Sequence, residues 1–287
     1  MTALATHGLD MPDLLDLQQQ AARRAGVSAS FRDRTGDGGA TPELMLIPPG
    51  EFEMGSSASE FGHQKSEAPR RFIEIERPFA LGRYAVTRAE FAAFQRATGW
   101  RPRPELIWPK SDRQPVFNVS LAEAQAYLAW LSEETGQRYR LPTEAEWEFA
   151  ARAGTRSAFA FGEAIGCRDV HFNSLFPYAE RRERRKWYIP LCIPTPRPLE
   201  VGSFQPNLWG LYDMHGNVQE FTSSPWRDSH VDLPRNGVYR RTGDEEWMVV
   251  KGGSWFDPAV ACRSAARRRR HVIEIDTNLG FRVLREL

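Results

Sequence analysis

The sequence predicts an α+β chain: short capped helices in its first half, strands near both ends, and a long irregular but ordered loop region between. Three observations carry this expectation. The S/T-x-x-E capping box occurs at Thr87–Glu90, Ser120–Glu123 and Thr143–Glu146, each followed by apolar residues at helical spacing. Gly99, Gly136 and Gly154 stand where C-terminal caps belong. Between about residue 155 and residue 245 no period is visible, yet Phe159, Phe161, Phe172, Phe176, Tyr178, Trp187, Trp209, Tyr212, Phe221 and Trp226 argue for order.

Taken in chain order, residues 11–25 place Leu14, Leu15, Leu17, Ala21 and Ala22 on one helical face. The stretch around Gly36–Ala40 reads as a linker. From Leu44 to Ile47 a strand is expected, then a turn at Pro48-Pro49-Gly50 and a returning strand carrying Phe52 and Met54. A second strand pair is expected at 71–76 and 79–86. This divides the chain near residue 42, into an N-terminal helical segment with its linker (1–41) and a main domain (42–287). After the three helices and the loop region, 247–251 and 280–285 read as strands.

The 287 residues allow one large domain or two small ones and suffice for a sizeable core. With 38 Lys+Arg against 37 Asp+Glu, the net charge of +1 gives no whole-chain field for nucleic acid or membrane. A basic nucleic-acid binder and an acidic disordered protein are excluded as global descriptions. Three cysteines do not make a disulfide framework. No apolar run is long enough for a membrane span. Residues 1–10 show no basic start to an export signal, so a reducing cytoplasm is the expected compartment.

Several strings, in order, resemble one family. They are Met45-Leu-Ile-Pro-Pro-Gly-Glu-Phe-Glu-Met-Gly-Ser56, Tyr84-Ala-Val-Thr87, Pro115-Val-Phe-Asn-Val-Ser120 and Arg140-Leu-Pro-Thr-Glu-Ala-Glu-Trp-Glu-Phe-Ala150. Gly210-Leu-Tyr-Asp-Met-His-Gly-Asn-Val-Gln-Glu220, Lys251-Gly-Gly-Ser-Trp255 and Asn278-Leu-Gly-Phe-Arg282 complete the set. Over residues 42–287 the chain resembles the formylglycine-generating enzyme, or sulfatase-modifying factor, superfamily. The resemblance implies a C-type-lectin-like fold with twisted antiparallel strands. It does not settle function, because members include copper oxidases that make formylglycine, iron enzymes that join sulfur to histidine derivatives, and binding scaffolds.

The resemblance also implies where chemistry would sit. The oxidases hold copper through two cysteines just after the Gly-Gly-Ser string, because Cu(I) takes soft thiolates. Here that stretch contains Cys262 alone, out of register when anchored on Ala265-Ala266-Arg267. A small buried apolar role is the expectation for it, and also for Cys167 and Cys192. The iron branch needs a His-rich helical domain ahead of this one, whereas only His7 precedes Leu44. Copper and iron are therefore not expected. Calcium is: the matching segment supplies oxygen ligands, here Asn217, the carbonyl of Val218 and Glu220. In the same segment, tryptophans usual in the family are replaced by Gln219 and Phe221.

Two basic runs remain, Arg181–Lys186 and Arg267–Arg270. The second lies where the family shapes its ligand-facing surface, which makes Trp255, Phe256, Asp257, Arg267 and Arg269 the candidate ligand-binding residues. Cys262 and Ser254 are the weak catalytic candidates; no base lies near Ser254 in sequence. The expectation is a binding or accessory module without formylglycine oxidase activity, taking an unidentified protein or an acidic small ligand. The alternative is a metal- and oxygen-dependent oxidase of the same superfamily. A retroelement-diversified scaffold ranks below a generic binding role.

Overall fold

All three capping boxes form. In the computed structural model, which describes residues 6, 11–36, 39, 41–101, 111–178 and 194–287, each Thr or Ser side chain accepts from its N3 amide. Each N3 glutamate reaches back to the cap amide in return. They start α2 (Arg88–Thr98), α3 (Leu121–Thr135) and α4 (Glu144–Arg152), while α1 (Met11–Ala25) precedes them. Gly99 and Gly136 close α2 and α3 in the left-handed conformation; α4 instead closes on Ala153, one residue before the expected glycine.

The first strands pair differently from the expected hairpins. β2 (Leu44–Ile47) pairs with β5 (Phe79–Gly82), and β3 (Gly50–Met54) pairs with β4 (Arg71–Ile75), so one hairpin is nested inside the other. Pro48 and Pro49 on one side and Pro78 on the other interrupt this ribbon. Proline offers no N–H to a ladder, so the ribbon divides between two sheets there.

A five-stranded sheet runs β1 (Ser30–Phe31), β2, β5, β11 (Leu284–Glu286) and β6 (Tyr139–Arg140). A four-stranded sheet runs β10 (Leu279–Phe281), β7 (Gln219–Pro225), β8 (Trp247–Lys251) and β9 (Arg268–His271). The single C-terminal strand expected at 280–285 is thus two short strands in two sheets. Neither β7 nor β9 shows in the sequence, because β7 is buried along nearly its whole length and carries polar residues there.

The boundary expected near residue 42 does not divide the structure. α1 buries Leu14, Ala21 and Ala22, and Gln18 donates to the carbonyls of Leu46 and Trp209. β1 extends the sheet beside β2. α1 and β1 are therefore built onto the main domain.

One apolar core gathers Phe52, Met54, Trp147, Phe149, Trp209 and Met214; a second gathers Phe91, Phe94, Tyr127, Val250 and Phe281. The loop region is ordered where it is described: Phe159, Phe172 and Tyr178 pack with Ala259 and Cys262 in a third cluster. Trp187 lies outside the described residues.

Candidate anion pocket and its charged floor

The Lys251-Gly-Gly-Ser string leaves β8 and turns into a 3-10 turn at Ala259–Cys262 before β9 returns. A cavity of about 320 Å³ opens here, with Gln219, Lys251, Asp257, Val260, Arg267 and Arg268 among its lining residues.

Its floor is ionic. Glu144 and Glu148 are four residues apart and so share a face of α4. Lys251, at the end of an apolar strand, is wholly buried against them, its Nζ 3.1 Å from Glu148 Oε2 and 3.9 Å from Glu144 Oε1. Arg152 and the Gly55 amide also donate to Glu148, at 2.8 and 2.9 Å. Burial raises the Glu148 carboxyl, but Lys251, Arg152 and the Gly55 amide outweigh it and hold the group down to about 2. Gly55 is required there: at φ +95°, a Cβ would lie 2.3 Å from the Glu67 carbonyl.

Arg267 completes the floor. Its Nη2 is 2.7 Å from Glu144 Oε2, its Nη1 donates to the carbonyls of Ser66 and Arg227, and it stacks on Trp226. Among the described residues its Nε has no hydrogen-bond partner; neither does Glu144 Oε1, nor either ring nitrogen of the wholly buried His230. Burial lowers the His230 pKa, with Glu144 and Arg267 among the charges acting on it. Unpartnered groups of this kind are costly, and they mark a network left open.

The wall is a second network. Asp257 Oδ2 accepts from Ser254 Oγ and from Gln219 Nε2, and Asp257 Oδ1 lies 3.0 Å from Arg268 Nη1. Ser254 Oγ accepts in turn from Asn278, and Gln219 Oε1 from Arg270.

Of the expected ligand-binding residues, Asp257 and Arg267 line the pocket, whereas Trp255 and Phe256, which pack edge-on against each other, are not among its lining residues. Arg269 does not join it: strand alternation sends its guanidinium to the other face, 4.8 Å over the Trp247 ring, and gives the pocket position to Arg268. Lys251, Arg268, Gln219 and the glutamates of α4 were not foreseen. A lone lysine closing an apolar strand, and alternation within the arginine run, were the signals available. The run at Arg181–Lys186 lies outside the described residues.

Both catalytic candidates lie in the protein interior. Cys262 is wholly buried, and burial together with the Asp257 charge pushes its thiol well up, so it is not a thiolate at neutral pH. Ser254 is buried and held between Asp257 and Asn278. His215 is structural: its ring bonds the Cys262 carbonyl and the Ala160 amide, and burial lowers its pKa to about 4.

Copper and calcium, two of the three metals named by the resemblance, can be set against the donors present. Cys262 is the free thiol among the described residues and has no second thiolate beside it, whereas Cys167 is disulfide-bonded, contrary to the expectation of a small apolar thiol. Cys192 lies outside the described residues. Both Glu220 oxygens accept from Arg282, and one also from Trp147; the Asn217 side-chain oxygen accepts from the Leu199 amide. A carboxylate neutralised this way offers no free charge to calcium beside Asn217 and Val218. Among the described residues no group of three or more His, Cys, Asp or Glu is placed to hold a metal ion.

Residues 31–287 match the family described as the sulfatase-modifying factor enzyme 1-like domain. The chain belongs to this family. It is 29% identical to a formylglycine-generating enzyme of Thermomonospora curvata over 83% of this chain and 92% of that one. It is 28% identical to the inactive C-alpha-formylglycine-generating enzyme 2 of Mus musculus, over 84% and 85% of the two chains. Among solved structures, PvdO from Pseudomonas aeruginosa superposes with a TM-score of 0.76 at 32% identity, covering 90% of this chain and 98% of that one. The family therefore contains members named for the formylglycine reaction and members named as inactive. No helix of the described residues is long and apolar enough to cross a membrane.

Proposed function

We propose that this family member is a binding module whose pocket takes a small acidic ligand in place of copper-dependent formylglycine chemistry. One observation carries the reading: Lys251, Arg267 and Arg268 line a single cavity, and while the first two are buried on the glutamates of α4, the Arg268 side chain is 59% exposed and holds Asp257 through one nitrogen. A carboxylate or phosphate entering the cavity would meet the exposed Arg268 guanidinium, whose remaining donors, free among the described residues, can form charge-assisted hydrogen bonds with it. The raised Cys262 thiol supports the absence of a copper site.

Two experiments test this. The protein, supplied separately with Cu(I) and Fe(II) in air with reductant, is given a Cys-x-Pro-x-Arg peptide whose mass is followed. An unchanged peptide is expected, and an aldehyde product overturns the reading. Propionate and inorganic phosphate are then titrated against isotope-labelled protein, with amide shifts expected at 251–254 and 267–268. Arg268→Gln should weaken binding about tenfold or more, by loss of a charge-assisted hydrogen bond. Titration without shifts there removes the pocket from consideration.

The alternative, an oxygen- and metal-dependent oxidase, draws its support from the relatives named as formylglycine-generating enzymes. The aldehyde assay decides between the two. The disulfide at Cys167 favours an oxidising compartment over the cytoplasm first expected.

A further inference from the structure

A surface strap carries a histidine into the buried charge cluster. After β7 the chain runs over the surface at residues 226–235, where Asp228, Val231, Asp232 and Arg235 are exposed while His230 and Leu233 are buried. Leu233 joins the first apolar core. His230 is 0% exposed, and among the described residues neither of its ring nitrogens has a hydrogen-bond partner. Backbone contacts hold the strap down around it. The His230 amide donates to the Ala68 carbonyl at 2.8 Å, and the carbonyls of Arg227, Ser229 and Leu233 accept from Arg267, Tyr239 and Arg71.

The surroundings of this ring are cationic. Glu144 and Glu148 on α4, Lys251 on β8 and Arg267 at the start of β9 all act on it. Arg152 is paired to Glu148, which makes three cations against two carboxylates in one dry cluster. On the remaining side a Cβ on Gly55 would lie 3.2 Å from His230 Nδ1, so that nitrogen faces backbone. The acid beyond Gly55, Glu67, is held through both oxygens by Arg263. The strap's own charges, Arg227, Asp228 and Asp232, are exposed. A proton on the closed ring would therefore add a fourth cation against the same two carboxylates, whereas an imidazolium in water meets no such penalty. We infer that residues 226–233 form an acid-released latch: neutral His230 closes the strap over the Glu144–Arg267 pair, and protonation drives the strap outward and uncovers that pair beneath the pocket. The latch does not depend on which ligand the pocket takes.

The test follows amide hydrogen exchange of the full chain at about pH 7.5 and about pH 5.5, corrected for the intrinsic effect of pH on exchange. The open strap takes a proton at the ordinary histidine value near 6.5 and the closed strap does not, so opening at the His230 and Leu233 amides should rise about tenfold between the two conditions. The closed form is thus favoured above about pH 6.5 and loses that advantage as pH falls. These amides should exchange faster than those of β5 at both pH values, which marks an opening short of global unfolding. His230→Gln should make the strap's opening independent of pH. Unchanged opening in the wild type overturns the latch, as does a rise that persists in His230→Gln. Equal exchange at the strap and β5 overturns it as a separate device. An imidazole NMR titration needs no variant: His230 should stay neutral at about pH 6 in the closed form. A ring that protonates near 6.5 while its own amide stays protected overturns the proposal.

Discussion

Two buried ion clusters meet at Trp147, and they are built to different standards. On one side the Trp147 indole donates at 2.7 Å to Glu220, which pairs with Arg282 through both oxygens. The rest of Arg282 is spent on the carbonyls of Gly82 and Tyr212. On the other side, Lys251 lies 5.6 Å over the same ring, between Glu144 and Glu148, with Arg267 beyond. There the network keeps unpartnered atoms on Glu144, Arg267 and His230. Both clusters are equally dry, so burial alone does not separate them. The closed cluster ties three distant segments together, whereas the open one adjoins a cavity. Satisfied buried networks specify structure, and incompletely satisfied ones beside a cavity are where ligand chemistry is to be sought.

The largest test of this contrast removes one member from each cluster. Glu220→Gln leaves Arg282 without its charge partner and should cost about 3–5 kcal/mol in urea unfolding. Its ligand titration, where the protein remains folded, should be unchanged. Arg267→Gln strips Glu144 of its nearest cation and should cost a comparable amount, but where the protein remains folded it should lose affinity as well. A Glu220 variant that loses affinity with little change in stability would reverse the assignment of the two clusters.

A smaller effect comes from pH. His215 has its folded pKa depressed from 6.5 to about 4, so the fold holds the neutral ring and the unfolded chain takes up the proton first. Its contribution is present above pH 6.5 and is lost as pH falls from 6.5 toward 4. Glu148, depressed from 4.5 to about 2, adds a further loss between those values. Asp213, raised by burial from 3.8 to about 6, acts in the opposite direction: its contribution is lost as pH rises through that window. The difference between wild type and His215→Gln cancels the other two groups. The stability of wild type minus that of His215→Gln should therefore rise with pH between 4 and 6.5, and a difference independent of pH would refute the assignment.

The smallest expected effect touches neither cluster. Thr143→Ala removes the cap of α4 and should cost about 1 kcal/mol without moving ligand affinity. A change in affinity would mean that the first turn of α4 is positioned by its cap closely enough to set Glu144 under the pocket.

What the sequence by itself determined was local. Each capping box is closed within four residues, so Thr87, Ser120 and Thr143 started their helices as read. The ordered strings carried the family, and the short spacing after Gly253 already showed a single cysteine there. Strand partners were less legible: the nested pairing of β2 to β5 depends on prolines that break the ladder rather than on any hairpin signal. The site was legible only in part. Asp257 and Arg267 were visible as candidates, but the choice of Arg268 over Arg269 required knowing that β9 is a strand and which of its faces turns to the cavity. Lys251 and Arg267 find Glu148 and Glu144 across 103 and 123 residues of chain. No local pattern encodes the partner of a buried charge, because desolvation and pairing are settled only when the chain is packed. The same holds for Glu220: read alone it is a hard oxygen ligand, and the arrival of Arg282 makes it an anchor of the fold.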